Sequence, residues 1–529
     1  MPDNLILTGF MGSGKDSVGQ EISKKTNLSF LSMDDYIVLK EKRTINDIFE
    51  KSGEEYFRKI EKQTLKEIKN IKNAVIATGG GVVKDKENRK ILSQMGKVVY
   101  LFTNLTAVKK RLETDKTRPL IKNRNNIIKI YNDRMKKKLY EFADLKIDTS
   151  EITPLLVAEK ILKDSKFKTK VKAKGPETHI VKTESKEYPI YIGFDLFRKK
   201  NSKINLELKS DKAAIISNPL VGSLYINELE KMLIEKGVIP TICIIPDGEK
   251  YKTFDTVKKI FDVLLKEKMD RSASIIALGG GVVGDLAGFV ASTLKRGISL
   301  IHVPTSLIAQ VDSSIGGKTG FDHPLGKNMI GTFYQPDMIL IDIKKLLTLP
   351  EKEFRNGLSE VIKYGIANDA TLFDILEKKE KEVLNRDIKL LEEIVSRCIQ
   401  IKKEVVEEDE KEEKGKREVL NYGHTIGHII ETLSGYSKYS HGEAVSMGMV
   451  KEAELAQKEK LLSKNDFSRI KNLIEKYKLP SSIPENINID EMKNCVAQDK
   501  KVRKGKIRLP VPTAIGKIIT REVECKKFL

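Results

Sequence analysis

Short apolar runs alternate along most of the chain with longer segments whose apolar residues recur every three or four positions. Asn4–Thr8, Leu28–Met33, Ala74–Thr78, Val98–Phe102 and Leu145–Asp148 read as strands. Asp16–Thr26, Glu54–Lys69, Thr106–Glu113 and Asn126–Phe142 read as helices between them. Such alternation predicts an α/β fold with a parallel sheet. The rhythm resumes at Ala213–Ser217, Thr241–Ile245, Ser274–Leu278, Leu300–Val303 and Met338–Asp342, and the remainder of the chain patterns as helix. From Lys160 to Gly175-Pro176 lysine alternates with other residues. That stretch cannot bury an apolar face, so the main boundary is placed there. The predicted divisions are 1–165, a linker over 166–176, an α/β part over 177–345 and an all-α part over 346–529.

Composition narrows the class. A chain of 529 residues with 40% hydrophobic and 32% charged positions fits a globular protein of several domains. No uncharged apolar run is long enough for a transmembrane helix, and the N-terminus lacks the basic region of a signal peptide. Four separated cysteines (Cys243, Cys398, Cys495, Cys525) make neither a disulfide framework nor a zinc knuckle, so a cytoplasmic location is expected. The net charge of +21 makes nucleic acid a candidate partner. The excess, however, is concentrated before residue 150 and in the 160–176 lysines, and no aromatic-interleaved basic stripe accompanies it. A solvated surface and anionic small substrates explain the charge better.

Candidate chemistry begins at Gly9-Phe-Met-Gly12-Ser13-Gly14-Lys15, which follows a strand and opens a helix. Glycines permit a tight loop whose N–H groups cradle phosphates, and Lys15 reaches the β/γ-phosphates. The next residue, ordinarily a hydroxyl that binds Mg²⁺, is Asp16, followed by Ser17. Gly-Gly-Gly-Val-Val occurs twice, at Gly79–Val83 and Gly279–Val283, each time after an apolar strand. Such turns let a ligand approach the backbone closely.

Across about residues 1–165 the sequence resembles shikimate kinase. The blocks are Gly9–Lys15, Met33-Asp34, Ile45–Phe49, Gly53–Glu61 with Arg58, Ala77–Val83 and Arg118-Pro-Leu. The resemblance implies Mg²⁺/ATP-dependent phosphorylation of the shikimate 3-hydroxyl. ATP is assigned to Gly12, Ser13, Gly14, Lys15, Asp16, Ser17 and Arg118. Asp34 orients or deprotonates the hydroxyl, Arg58 pairs the carboxylate, and Gly79, Gly80 and Gly81 supply backbone contacts. Arg118 is the lid arginine. Two departures stand out. The family's Asp-x-Asp is here Ser32-Met33-Asp34, so an exchange is expected in which Asp16 and Ser32 together serve magnesium. The family's late arginine is replaced by Lys136, unless Arg134 reaches in from upstream. An impaired or regulatory kinase-like domain is the alternative reading.

The second half holds Gly279–Asp285 at a strand end, Pro246-Asp247-Gly-Glu249-Lys-Tyr-Lys252 before it and Pro304-Thr305-Ser306 after it. Three of the chain's six histidines fall within Asn421-Tyr-Gly-His424-Thr-Ile-Gly-His428 and His441-Gly-Glu443. With a carboxylate partner they suit a catalytic metal site. Over about residues 177–525 these blocks resemble 3-dehydroquinate synthase. That implies NAD and zinc, or another divalent metal such as Co²⁺, acting on 3-deoxy-D-arabino-heptulosonate 7-phosphate (DAHP). By resemblance Glu360, His424 and His441 bind the metal. Asp247, Glu249, Lys252, Gly280, Gly281, Val282, Asp285, Thr305, Ser306, Lys318 and Lys327 contact NAD. Arg296, Asp312, Lys318, Asn328, Lys363, Lys402, Arg417, Asn421 and His428 line the substrate site. Among the substrate-site residues Arg296, Asp312, Lys318, Lys363 and His428 are expected to take part in catalysis, as Asp34, Lys15 and Arg118 are in the first half. Lys403 is a second candidate for the Lys402 role, and Asp499-Lys500-Lys501 for a phosphate contact. A homodimer through the second half is implied by the family alone. The whole reads as a bifunctional enzyme of aromatic biosynthesis: a P-loop kinase domain, a Rossmann-like NAD-binding subdomain and a helical metal-binding subdomain.

Overall fold

A computed structural model of the chain describes residues 4–113, 124–165, 175–197, 204, 208, 210–435, 438–485, 487, 491–492, 502–503 and 506–524. The expectations for Arg118, for most of the 166–176 linker and for Asp499–Lys501 lie outside the described residues.

Buried aliphatic runs form the first sheet. Its elements are β1 (Leu5–Gly9), α1 (Lys15–Lys25), β2 (Ser29–Ser32), α2 (Met33–Glu41), α3 (Ile45–Ile68), β3 (Ala74–Ala77), α4 (Lys86–Met95), β4 (Lys97–Phe102), α5 (Leu105–Glu113), α6 (Arg124–Lys136), β5 (Leu145–Asp148) and α7 (Pro154–Ser165). The order β2-β3-β1-β4-β5 is parallel throughout, as the alternation predicts. The phosphate loop therefore leaves the carboxyl end of the central strand, where open α/β sheets bind ligands.

The second sheet comprises β6 (Glu177–Lys182), β7 (Glu187–Gly193), β8 (Ala213–Ser217), α8 (Pro219–Glu235), β9 (Thr241–Ile244), α9 (Phe254–Lys266), β10 (Ser274–Gly279), α10 (Gly281–Thr293) and β11 (Ser299–Pro304). A hairpin, β12 (Lys318–His323) with β13 (Gly326–Phe333), then precedes β14 (Met338–Asp342) and α11 (Lys344–Leu347). The order β6-β7-β14-β11-β10-β8-β9 is parallel except for β6–β7.

Helices α12 (Glu351–Ala367), α13 (Ala370–Lys378), α14 (Glu380–Leu384), α15 (Ile388–Glu408), α16 (His424–Leu433), α17 (His441–Lys458) and α18 (Lys464–Lys476) follow. The expectation of an all-α part is corrected at its end. Strands β15 (Val502–Arg503), β16 (Lys506–Ala514) and β17 (Lys517–Glu524) make an antiparallel sheet, and β16 packs on α17. Ile507, Leu509 and Val511 alternate inward and are buried. Pro510 and Pro512 obscure that strand in the sequence. They are tolerated because, among the described residues, the short β15 pairs only with Lys506 and Ile507 and leaves β16 an edge at the prolines. Among the described residues no helix is long and apolar enough to cross a membrane.

The two sheets are joined by a buried seam. Helix α8 packs on α2 and β2, and Leu31, Met33 and Tyr36 belong to one core with Leu224, Tyr225 and Leu229. Gly222 allows the approach, because a Cβ there would stand 3.3 Å from Leu39 Cδ1. A polar contact crosses the seam as well: Asn73 Nδ2 donates to the Leu347 carbonyl at 2.7 Å.

Two candidate active sites

In the first site Gly12 and Gly14 adopt left-handed φ values of 78° and 82°, and Gly14 caps α1. Lys15 is buried and folds back, its Nζ donating to the carbonyls of Gly9 at 3.2 Å and Phe10 at 3.1 Å. A cavity of about 340 Å³ opens beside the loop, with Asp16, Ser32, Asp34, Asp35, Arg58, Gly80, Gly81 and Arg134 on its walls. Ser13 is buried at its base, and Ser17 faces solvent on α1.

The glycines of the second turn are forced by neighbours. A Cβ on Gly79 would lie 2.3 Å from Glu61 Oε1, and one on Gly81 would lie 2.0 Å from an Arg58 guanidinium nitrogen. Arg58 is held by Glu61 at 2.7 Å and Glu54 at 3.1 Å. Glu61 is almost fully buried, and that burial pushes its pKa up against the opposing pull of Arg58. Sequence reasoning gave Glu61 no role, although its spacing of three from Arg58 on a helix was available as a signal. The structure also separates Arg134 from Lys136. Arg134 is 1% exposed, packs 5.0 Å over the Phe10 ring and donates to the Gly80 carbonyl and toward the Tyr140 hydroxyl. Lys136, expected at shikimate, faces solvent two residues on.

Ser32 Oγ accepts from the Asp35 N–H at 3.3 Å, so it caps α2 on the cavity wall that Asp16 also lines. Burial, then the charges of Asp16 and Asp34, raise the Asp35 pKa to about 6. That crowding of carboxylates suits a hard cation, and Mg²⁺ commonly takes one or two carboxylates with the rest of its ligands from phosphate and water.

The second site spans the sheet and the helices after it. Gly280 and Gly281 lie between β10 and the start of α10, and a Cβ on either would stand 3.2 Å from the hydroxyl of Ser306 or Ser313 respectively. The turn thus packs closely on two serine hydroxyls at a helix N-terminus, a place that suits pyrophosphate. Val282 and Thr305 flank the turn, the Thr305 N–H donating to the Gly279 carbonyl at 2.9 Å. Lys252 pairs with Asp285 at 2.5 Å and donates to Asn328 Oδ1 at 2.5 Å. Asp247 accepts from Asn218 Nδ2 at 2.8 Å.

The metal candidates converge. His424 Nε2 and His441 Nε2 stand 3.6 Å and 3.5 Å from Glu360 Oε1, a buried oxygen without a hydrogen-bond partner. His424 Nδ1 is 3.1 Å from the Tyr422 carbonyl. A carbonyl can only accept, so Nδ1 carries the proton and Nε2 presents its lone pair. Burial keeps His424 neutral by pushing its pKa well down. His441 differs: burial lowers its pKa, but the neighbouring carboxylates of Glu360 and Glu431 outweigh it and hold it near 9. A divalent metal would take the place of that proton on Nε2. The donor set fits zinc or cobalt.

Beside it, Lys363 is buried against Glu360, and Asp312 accepts from Tyr364 Oη at 2.6 Å and Lys402 Nζ at 2.7 Å. Lys402 is the inward lysine, whereas Lys403 pairs with Glu407 at 4.0 Å. Burial, then Arg417 and Lys363, push the Lys402 pKa down. Lys318 stands at the mouth, half exposed and 2.6 Å from Glu412. His428 is exposed, its ring 5.6 Å from that of His424, and Asn421 lies just ahead of α16. Arg296 lies apart from the glycine turn. It is exposed at left-handed φ 66°, beyond the far end of the 13-residue α10. At about 1.5 Å per residue that is ~20 Å from the glycine turn. Tyr364 and Glu431 are further residues of this site that sequence reasoning passed over. Neither carries a motif of its own.

Comparison with known proteins agrees with this anatomy. Residues 242–356 match the profile for the 3-dehydroquinate synthase N-terminal region and 357–502 that for its C-terminal region. The 3-dehydroquinate synthase of Thermodesulfovibrio yellowstonii is 50% identical over 309 residues, 58% of this chain and 86% of that protein. The chain belongs to the 3-dehydroquinate synthase family. Residues 11–166 match the profile for shikimate kinase, so a kinase domain is fused ahead of the synthase. A solved shikimate kinase from Acinetobacter baumannii is 37% identical, covering 31% of this chain and 92% of its own, with a TM-score of 0.29. A 2-deoxy-scyllo-inosose synthase solved with carbaglucose-6-phosphate, NAD⁺ and Co²⁺ is 26% identical, with a TM-score of 0.60 over 66% of this chain and 98% of its own. The fusion carries the shikimate kinase and 3-dehydroquinate synthase activities of the shikimate pathway.

Proposed function

We propose that the two sites divide the two activities along the chain, residues 1–165 phosphorylating the shikimate 3-hydroxyl with Mg²⁺/ATP and residues 177–529 converting DAHP to 3-dehydroquinate and phosphate. In the kinase, Lys15 and the N-terminus of α1 receive the phosphates, Asp34 holds the attacking hydroxyl, and Arg58 and Arg134 take the carboxylate. Phosphoryl transfer depends chiefly on such positioning and charge neutralisation. Asp16 and Ser32 both line the cavity, which supports their sharing the magnesium contact.

In the synthase, bound NAD⁺ supplies a hydride acceptor restored within each turnover, and the divalent metal supplies a Lewis acid at the oxygen being oxidised. The chain's own groups do the rest. Glu360, His424 and His441 hold the metal, the glycine turn with Lys252, Asp285 and Asn328 holds the dinucleotide, and Lys363, Lys402 and Arg417 draw in an anionic substrate. Asp312 orients Lys402 and Tyr364 around that anion. A simple alcohol would not require this many buried cations.

The single observation that carries the synthase reading is the convergence of two imidazole nitrogens on an unpartnered, buried carboxylate oxygen. His424→Ala should abolish phosphate release from DAHP while leaving shikimate-dependent ADP formation intact. Retained phosphate release, or net NADH accumulation by the parent, would remove the assignment.

A further inference from the structure

Glu431 lies on α16, three residues beyond His428, and is 4% exposed. A carboxylate so deeply buried requires partners. One oxygen stands 3.3 Å from His441 Nδ1, and the other accepts from Lys327 Nζ at 3.1 Å. His441 turns its remaining nitrogen to Glu360. Lys327 rides on the β12–β13 hairpin, and its Nζ is also 4.0 Å from Glu249 Oε1, on the segment assigned to NAD.

We propose that Glu431 is a positioning residue that fixes the metal ligand His441 and, through Lys327, ties it to the hairpin beside the NAD site. The inference rests on the metal and NAD assignments above. An ionised carboxylate only accepts, so the His441 Nδ1 must donate to Glu431, which leaves Nε2, the nitrogen turned to Glu360, as the one a metal could take. Carboxylates behind ligating histidines raise ligand basicity and lock the ring. The donor atoms of His428, Glu431 and His441 also lie within 4.8 Å of one another, which invites reading a second cation site there. Two features oppose that. The Lys327 ammonium already neutralises Glu431, and the Nδ1 proton closes the His441 face that a second ion would need. The group is one relay, His441–Glu431–Lys327, joining an element of the helical part to an element of the α/β part.

The test uses the full chain carrying Glu431→Gln, with Zn²⁺ as the probe in competition with a chelator and NAD⁺ affinity measured by calorimetry. Zinc affinity should fall by about 10–100-fold, the usual cost of losing such a partner, and NAD⁺ binding should weaken with it. Lys327→Met should weaken NAD⁺ binding, and adding it to Glu431→Gln should weaken NAD⁺ binding no further. Shikimate kinase turnover, which neither residue touches, reports that the variants fold. Unchanged zinc affinity in Glu431→Gln, or strictly additive losses of NAD⁺ affinity, would overturn the relay. His441→Ala separates the possibilities: if it too leaves zinc affinity unchanged, the metal assignment itself has failed, and with it the inference.

Discussion

At the scale of single residues, the kinase cavity chooses between two neighbouring cations. Arg134 and Lys136 are two positions apart on α6, so they face different directions. Arg134 is enclosed by Phe10, Gly80 and Tyr140, and its planar guanidinium fits both the ring stacking and a bidentate grip on a carboxylate. Arg134→Lys should therefore raise the KM for shikimate by about tenfold, a charge-assisted contact being worth roughly 1.5–3 kcal/mol. Lys136→Met should leave KM unchanged, as steady-state assays on the two variants would show. Spacing from the family pattern favoured Lys136, because alignment counts positions and not helix faces. Where chemistry constrains residue type as well as position, the sequence pointed to a cluster: the donor atoms of Glu360, His424 and His441 lie within 4.8 Å of one another, Glu360 having come from the resemblance and not from a motif. Glu431 and Tyr364 were illegible because their partners are remote in the chain, 104 residues separating Lys327 from Glu431 and 52 separating Asp312 from Tyr364.

At the scale of elements, the first sheet and strands β8, β9, β10, β11 and β14 of the second were legible because buried strands read as continuous apolar runs, whereas β6 and β7, half-exposed at the sheet's edge, were passed over. Strand β16 was not legible either, since Pro510 and Pro512 signal against a strand unless its neighbour is known to be short. Helix α8 shows another kind of hidden constraint. Its Glu228 meets Lys344 Nζ at 3.3 Å and Lys345 Nζ at 3.2 Å, and Lys344 also binds Asp195 at 2.9 Å. Both lysines are buried at the start of α11, where a pair of ammonium groups would otherwise be expelled. Burial pushes the Glu228 pKa up, but the two lysines prevail and depress it to about 2. Since the folded value lies below the ordinary 4.5, ionised Glu228 stabilises the fold above that pH. The contribution is lost as the pH falls through 4.5 toward 2. Glu228→Gln should lower the thermal midpoint at neutral pH by about 2–4 °C, and the difference from the parent should close in acid. A gap that persists at low pH would mean the network does not act through this carboxylate.

At the scale of the whole molecule, the lysine-rich stretch suggested two enzymes joined by a linker. The seam argues for more. Helix α2 starts with Asp34 and Asp35 on the kinase cavity wall and presents Tyr36 and Leu39 to α8. Helix α8 in turn begins at Asn218, whose side chain holds Asp247 beside the NAD segment. One pair of packed helices thus backs both sites, and each buries apolar surface that its own sheet leaves open. Cutting the chain inside 166–174 and producing residues 1–165 alone should expose Leu39 and much of β2. Each buried side chain of that size is worth about 1.5–3 kcal/mol, so the lone kinase should melt well below the fused one. It should also lose turnover, since the helix that carries Asp34 loses its backing. Adding residues 177–529 in trans should restore both saturably, because the contact surface is preformed. Thermal unfolding and shikimate-dependent ADP formation, each measured against increasing synthase fragment, would decide. A lone kinase as stable and as active as the fused one, indifferent to the added fragment, would reduce the seam to a resting contact between independent enzymes.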